Sequence, residues 1–243
     1  MRLAPLTTLR LGGPAHGLDE AHTEDELIAA VRGQRPALLL AGGSNVVIAD
    51  EGVPGTVVLV RTRGIEREGD LLVVQAGEPW DDLVARCVQA GLQGFECLSG
   101  IPGSTGATPI QNVGAYGQDV AETVAWVRVY DRETDAVATL DAAACGFEYR
   151  RSIFKHHDRW TVLAVAFRLR ESPLSGPLRY AELARTLGVP VGGRAPLSEV
   201  RAAVLGLRRG KGMVIDPADP DSVSAGSFFT NPVSYTHLTL PTN

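Results

Sequence analysis

The residues with the most chemical potential in this chain are its smallest ones. The stretch Gly100-Ile-Pro-Gly-Ser-Thr-Gly-Ala-Thr-Pro-Ile-Gln-Asn-Val-Gly-Ala-Tyr-Gly117 holds five glycines, two prolines and no charge. It cannot form an ordinary helix or strand interior. Its glycines let backbone approach a ligand closely, and its prolines stiffen the path. Its amides read as a run of donors without obvious intrachain acceptors, and a buried donor needs a partner. A bound polyanion would supply one. The plain alternative is a long glycine-rich surface loop. A loop of this length without structure of its own is uncommon unless it is functional or disordered. Ile101, Ile110, Val113 and Tyr116 are spaced along it as anchors, which argues against disorder.

A second small-residue loop, Gly42-Gly-Ser-Asn45, lies between two apolar runs. It reads equally well as a hairpin turn. Neither loop is a P-loop, because no Gly-Lys-Ser/Thr follows. Gly100, Gly103 and Gly106 are spaced wrongly for the dinucleotide fingerprint and open no apolar helix. Phosphate binding here would therefore rest on turns and nests of amides.

The elements that must position these loops follow from periodicity and punctuation. Thr7–Pro14 reads as a short strand entering a turn. Thr23 and Glu26 fit a capping box that opens a helix ending at Gly33. Ala37–Ala41, Val46–Ala49, Thr56–Val60 and Leu71–Gln75 are apolar runs suited to strands. Pro79–Ala90 is the clearest helix, with Trp80, Leu83, Val84, Cys87 and Val88 on one face. Thr123–Tyr130 and Val137–Leu140 form a hairpin around Asp131–Asp135. Thr161–Leu169 reads as an alternating strand, and helices are expected over Tyr180–Leu187 and Ser198–Arg208. Strands and helices mix without strict alternation, so the expected class is α+β.

The bulk figures set limits. The 243 residues are 44% hydrophobic and 21% charged, with a net charge of −5. That is ordinary globular usage, and it does not favour a nucleic-acid groove. Cys87, Cys97 and Cys145 show no metal spacing and read as core thiols of a reducing compartment. No apolar run is long enough to cross a membrane. A cytoplasmic protein without membrane insertion or a metal site is expected.

Six ordered segments carry a specific resemblance. Leu9–Gly13, Gly42–Val46 and Gly100–Gly117 resemble the flavin-binding segments of the UDP-N-acetylmuramate dehydrogenase family, also called UDP-N-acetylenolpyruvoylglucosamine reductases. Phe147–Lys155 resembles that family's Tyr-Arg-x-Ser-x-Phe-Lys segment. Arg208–Lys211 with Asp216-Pro217 resembles its basic substrate loop, and Ser224–Pro232 its catalytic serine loop. The resemblance runs from about Thr7 to Val233. It implies a vanillyl-alcohol-oxidase-type fold of two α+β lobes with FAD between them. The implied division is 1–65 for the first lobe, 66–207 for the second, 208–233 for the start of a substrate domain, and 234–243 for a tail outside the family pattern.

The resemblance implies an NADPH-driven, FAD-dependent reduction of the enolpyruvyl double bond of a UDP-sugar, in peptidoglycan precursor synthesis. It assigns FAD contacts to Gly42, Gly43, Ser44, Asn45, Val46, Gly100, Ile101, Pro102, Gly103, Ser104, Gly106, Ala107, Gln111, Asn112, Gly114, Ala115, Tyr116 and Gly117. Arg150 would stabilise the charge that develops beside the substrate carboxylate, a task suited to an always-ionised guanidinium fork. Most arginines lie on the surface, and that is its plain alternative. Ser227 would deliver the proton from a dry pocket, although a serine is a poor acid without a relay. A turn or N-cap serine is the competing reading. Tyr149, Tyr180, Lys211 and Asn231 would contact the substrate. His156 and His157 are adjacent and read as exposed.

Two departures stand out. Thr230 replaces a lysine common in the family. After Val233 the family pattern stops, with no counterpart to a C-terminal glutamate that assists protonation, so a C-terminally truncated chain is expected, with flavin binding retained and turnover weak or absent. Another flavin oxidoreductase of the same fold and a non-catalytic nucleotide-binding module remain open alternatives at this point. Oligomeric state is not legible.

Overall fold

A computed structural model of the chain describes residues 1–33, 36–224 and 226–227. Strand β1 (Ala15–Ala21) begins just after the segment expected to be a strand. Thr7–Gly13 instead forms turns and irregular chain, because its glycines and Pro14 break the run before a ladder can form. Helix α1 spans Glu24–Gly33. The Glu26 amide donates to Thr23 Oγ1 at 3.2 Å, as a capping box requires, while the Glu26 carboxylate accepts from the His22 amide at 2.7 Å. β2 (Leu38–Leu40) and β3 (Val53–Val60) follow. Val46–Ala49 between them is not a strand: Val47 is exposed while Ile48 turns inward.

The three strands form a parallel sheet in the order β1-β3-β2. β3 is central and faces two cores. Val57 and Leu59 pack with Leu3, Leu40 and Ile48 on one side, whereas Val58 and Val60 join the main core on the other. A strand covered on both faces needs a continuous apolar run, which Thr56–Val60 nearly supplies.

A second, antiparallel sheet begins with β4 (Ile65–Glu68), whose charged sequence gave no strand signal, and β5 (Leu71–Gln75). Helix α2 (Trp80–Gln89) places Pro79 at its N-cap and buries Trp80, Leu83, Val84 and Cys87. Short strand β6 (Leu92–Gln93) follows, and then a two-strand hairpin of β7 (Gly114–Ala115) and β8 (Gln118–Asp119) within the glycine stretch. β9 (Val124–Asp131) and β10 (Ala136–Asp141) form the expected hairpin. β11 (Trp160–Arg168) sits in the middle of the order β10-β9-β11-β5-β4. It does not alternate: Thr161 through Phe167 are all buried, because both faces of this central strand are covered. β12 (Arg170–Glu171) pairs with β6.

Helices α3 (Ala181–Thr186) and α4 (Leu197–Arg209) close the described chain around a smaller core with Cys97, Leu178 and Leu183. Trp80, Phe95 and Phe167 form an edge-to-face aromatic cluster in the main core, with centroids 4.9 Å apart for Trp80–Phe95 and for Phe95–Phe167. Cys87, Cys97 and Cys145 are free and buried, and burial pushes each thiol up to about 12. Among the described residues no helix is long and apolar enough to cross a membrane.

Candidate flavin and substrate site

The two glycine loops face one another. A Cβ on Gly42 would lie 2.5 Å from Gly103 Cα, and one on Gly103 would lie 2.7 Å from Ser44 Oγ. Neither approach tolerates a side chain without displacement. The Asn45 amide group reaches Gln111 Oε1 at 3.4 Å, a second link between the loops. One loop leaves the end of β2, in the small sheet. The other runs from the residues after α2 to the β7–β8 hairpin. The two loops therefore meet between the small sheet and the end of β5.

The amides of the long loop are less free than the sequence suggests. Gly100 donates to Asp81 Oδ1 at 2.6 Å, Thr105 to Glu78 O at 2.8 Å and Gly106 to Ala76 O at 2.9 Å. Ala107, Thr108, Ile110, Asn112 and Val113 donate to carbonyls within the loop. These bonds make the loop a folded shelf on the end of β5, with Ser104, Thr105, Gly106 and Thr108 buried. Gly43, Ser44, Asn45, Ile101 and Gly103 make no amide bond to a protein acceptor among the described residues. They cluster where the loops approach. That is the donor set a diphosphate would need, so the residues present fit a dinucleotide cofactor such as FAD.

The β7–β8 hairpin carries the next layer. Tyr116 and Gly117 form its two-residue turn, both with positive φ, 50° and 79°. Arg150 docks against its base. The guanidinium Nη1 donates to Asp119 Oδ1 at 2.9 Å and Asn112 O at 3.1 Å, and Nη2 donates to Gly114 O at 2.6 Å. A Cβ on Gly114 would overlap this pair. Arg150 also lies over the Tyr149 ring, 4.9 Å from its centroid. Its own backbone is left-handed, with φ of 54°, at the tip of a turn closed by mutual bonds between Glu148 and Arg151. Strain of this kind in a non-glycine residue costs about 1–3 kcal/mol and persists where surroundings enforce it. Here Lys155 Nζ holds the Arg150 carbonyl at 3.0 Å, Ser152 Oγ donates to Ile110 O at 2.7 Å, and Asn112 Nδ2 donates to Glu148 O at 3.0 Å. Arg150 is thus not a free surface arginine. The Asn112 side chain is engaged too, since its Oδ1 accepts from the Ala121 amide at 3.1 Å.

On the other side of the hairpin, Tyr116 packs edge-on to Tyr180 with centroids 5.3 Å apart. Burial raises the Tyr116 phenol above its ordinary value, opposed by the nearby charges of Lys211 and Arg208. Lys211 Nζ is 3.0 Å from Glu182 Oε2, which raises its ammonium pKa. The hairpin therefore joins Tyr149 and Arg150 on one flank to Tyr180 and Lys211 on the other. Ser227 does not join this group. It is exposed rather than enclosed in a dry pocket, and among the described residues no contact ties it to Arg150. Asn231 lies outside the described residues. His156 and His157 are exposed.

Sequence reasoning missed the residues that hold these groups. Asp119 is the ionic partner of Arg150, Asp81 anchors Gly100, and buried Glu96 binds the amides of Gly94 at 2.8 Å and Gly176 at 2.9 Å. For Asp119 a local signal existed: its side chain and that of Glu122 form a capping box. Asp81 and Glu96 act on distant or irregular backbone and leave no local pattern.

Comparison with known proteins follows the same geography. Residues 15–140 match the FAD binding domain family. The chain is 63% identical over 241 residues to UDP-N-acetylenolpyruvoylglucosamine reductase of Salinispora arenicola (strain CNS-205), covering 95% of this chain and 66% of that protein. It is 58% identical over 240 residues to the protein of the same name from Thermobifida fusca (strain YX), covering 95% of this chain and 67% of that protein. The chain spans about two thirds of the length of these curated relatives. The crystal structure of UDP-N-acetylenolpyruvylglucosamine reductase from Thermus caldophilus superposes with a TM-score of 0.69 at 28% identity, covering 96% of this chain and 74% of that one. A Cu,Mo-CO dehydrogenase matches at TM-score 0.51 and 14% identity, covering 67% of this chain and 62% of that one, a likeness of fold alone.

Proposed function

This chain belongs to the UDP-N-acetylenolpyruvoylglucosamine reductase family, within the wider FAD binding domain family, and from that premise we propose what its site does. Its α+β architecture is the vanillyl-alcohol-oxidase type of FAD-binding fold. The proposed activity is the NADPH-driven reduction of UDP-N-acetylenolpyruvoylglucosamine to UDP-N-acetylmuramate, a step of peptidoglycan precursor synthesis in the cytoplasm. The observation that carries this reading is the meeting of the Gly42–Asn45 turn with Gly103, on a loop whose far end seats Arg150.

FAD, when bound, supplies the hydride chemistry that no side chain can perform. The chain's own residues bind and orient. The amides of Gly43, Ser44, Asn45, Ile101 and Gly103 would hold the diphosphate. Val46, Pro102, Ser104, Gly106, Ala107 and Gln111, with the segment Asn112 and Gly114 to Gly117, shape the cleft around the remainder. A guanidinium has five N–H donors. Three of those on Arg150 are committed to Asp119, Asn112 and Gly114. Two remain, enough for a bidentate grip on a substrate carboxylate, where a donor aimed at developing charge contributes about 3–4 kcal/mol. Tyr149 and Tyr180 would flank the sugar nucleotide, and Lys211 offers its diphosphate a point charge. Ser227 is the proposed proton donor and Asn231 a substrate contact. Residues 1–65 and 66–207 form the proposed lobes, a division one residue inside β4 and so close to the change of sheet between β3 and β4, with 208–233 leading into a substrate domain.

A spectrum of the purified chain tests the reading. Flavin bands, or their appearance on adding FAD, followed by bleaching with anaerobic NADPH, are the expected result. A colourless protein that rejects added FAD would overturn it. Ser227→Ala should leave the NADPH step intact and slow reduction of the UDP-sugar steeply; equal loss of both in stopped flow would remove the proton-donor role.

A further inference from the structure

Gly100, the first residue of the long loop, is held from outside the loop. Its amide donates to Asp81 Oδ1 at 2.6 Å. The same carboxylate takes two parallel bonds from Arg201 of α4, Nη1 to Oδ1 at 2.6 Å and Nη2 to Oδ2 at 2.9 Å. Burial works against the charged form of Asp81, but the bonds from Arg201 and Gly100 outweigh it, and its pKa lies below the ordinary range. The Arg201 side chain is only 17% exposed.

The same face of α4 then covers Gly100 itself. Arg201, Leu205 and Arg208 recur at four- and three-residue spacing, which aligns them on one side of a helix. A Cβ on Gly100 would lie 2.8 Å from Leu205 Cδ2 and 3.3 Å from Arg208 Nε. Arg208 is 9% exposed, its Nη2 donates to Met213 O at 3.0 Å, and its Nε has no partner among the described residues. One helix thus touches the start of the glycine loop through a bidentate ion pair, an apolar contact and a buried guanidinium. α4 also leads directly into the Arg208–Lys211 segment.

We infer that Asp81 and Arg201 are positioning residues for FAD: through them helix α4 fixes Gly100, and with it the backbone path that brings Ile101 and Gly103 to the Ser44 turn. This inference rests on the FAD reading given above. It joins the cofactor loop mechanically to the helix that carries the basic segment. FAD affinity then depends on a side chain far from both glycine loops in sequence.

The test is FAD titration of the full 243-residue chain by flavin fluorescence, with folding of the cofactor-free protein followed by circular dichroism and thermal midpoint. Arg201→Met should weaken FAD binding about tenfold or more, the scale of misplacing a positioned group. Asp81→Asn keeps an acceptor for the Gly100 amide and should lose less. The double variant Asp81→Asn/Arg201→Met should bind no worse than Arg201→Met, because the two side chains act as one unit. Arg201→Lys keeps the charge without the fork and should fall between wild type and Arg201→Met. If Arg201→Met does not fold, Arg201→Lys decides, and unchanged affinity there overturns the inference. It is also overturned if Arg201→Met binds FAD within about twofold of wild type, or if affinity falls only in step with the midpoint of the cofactor-free protein. A wild-type chain that takes up no FAD would overturn both the inference and the FAD reading; one that binds FAD with variants unaffected would overturn the inference alone.

Discussion

The two glycine loops are built by opposite means. The long loop is a shelf: its start is bonded to Asp81, its middle to Glu78 and Ala76, and its end is a hairpin weighted down by Arg150. The Gly42–Ala49 loop has few such ties. Thr8 donates to Gly43 O at 3.0 Å, Gly13 and Gly52 donate to Ala49 O at 2.9 and 3.0 Å, and Val47 is left exposed. One loop is tied down because most of its amides are already satisfied, with Ile101 and Gly103 left over. The other keeps its amides available and is placed against the first by a contact that only glycine permits. A diphosphate cradle needs both a fixed wall and free donors; here the long loop supplies the wall and two of the donors, Ile101 and Gly103, and the other loop supplies Gly43, Ser44 and Asn45.

Breaking the contact should have the largest effect. Gly103→Val would set a branched side chain against Ser44 in a left-handed backbone, with φ of 116°, and FAD binding should be lost. Gly69→Ala is the control, since nothing among the described residues lies within 4 Å of its Cβ; it should cost about 1–2 kcal/mol from its φ alone and leave FAD affinity unchanged. Equal FAD affinity for both variants would mean that the loops do not act together. Next in size, Trp80→Ala should remove about 3–5 kcal/mol of stability in urea unfolding. It empties the aromatic cluster beneath the shelf, where Trp80 Nε1 also donates to Leu98 O at 3.2 Å.

Arg150→Met should cost about 1 kcal/mol, the lower end of the scale for leaving acceptors unpaired, because Asp119 and Gly114 are only partly buried. Since its three acceptors belong to the rigid loop alone, FAD affinity should change far less than in Gly103→Val, and a calorimetric titration would show it. The smallest effect lies outside both loops. Hydrogen bonds from Arg159 hold the Asp131 carboxyl at about 2, below its ordinary 3.8. A depressed carboxyl stabilises above its unfolded pKa and loses that contribution as pH falls through its folded one. Stability should therefore decline between about pH 4 and pH 2, and Asp131→Asn should flatten that limb of the acid titration.

Much of this arrangement was legible where the information is local. The face of α2, the presence of α4 and the hairpin β9–β10 follow from periodicity and turn residues a few positions apart. Composition alone located the long loop. What composition could not show is that its amides meet Asp81, Glu78 and Ala76, acceptors some twenty to thirty residues upstream that only the fold brings near. For the same reason β11 looked alternating: its burial on both faces depends on strands and helices remote in sequence. Val46–Ala49 has the residues of a strand but forms no ladder among the described residues. Arg150 was found through a motif, while Asp119 and Gly114, which hold it, were not, because their role is defined by contact rather than type.

A crystal structure of the chain with FAD tests the central claim most directly. The account predicts the diphosphate within hydrogen-bonding distance of the Ser44 and Gly103 amides, between the two loops. Cofactor density on another surface, with the Gly42–Gly103 contact closed and empty of ligand, would contradict it.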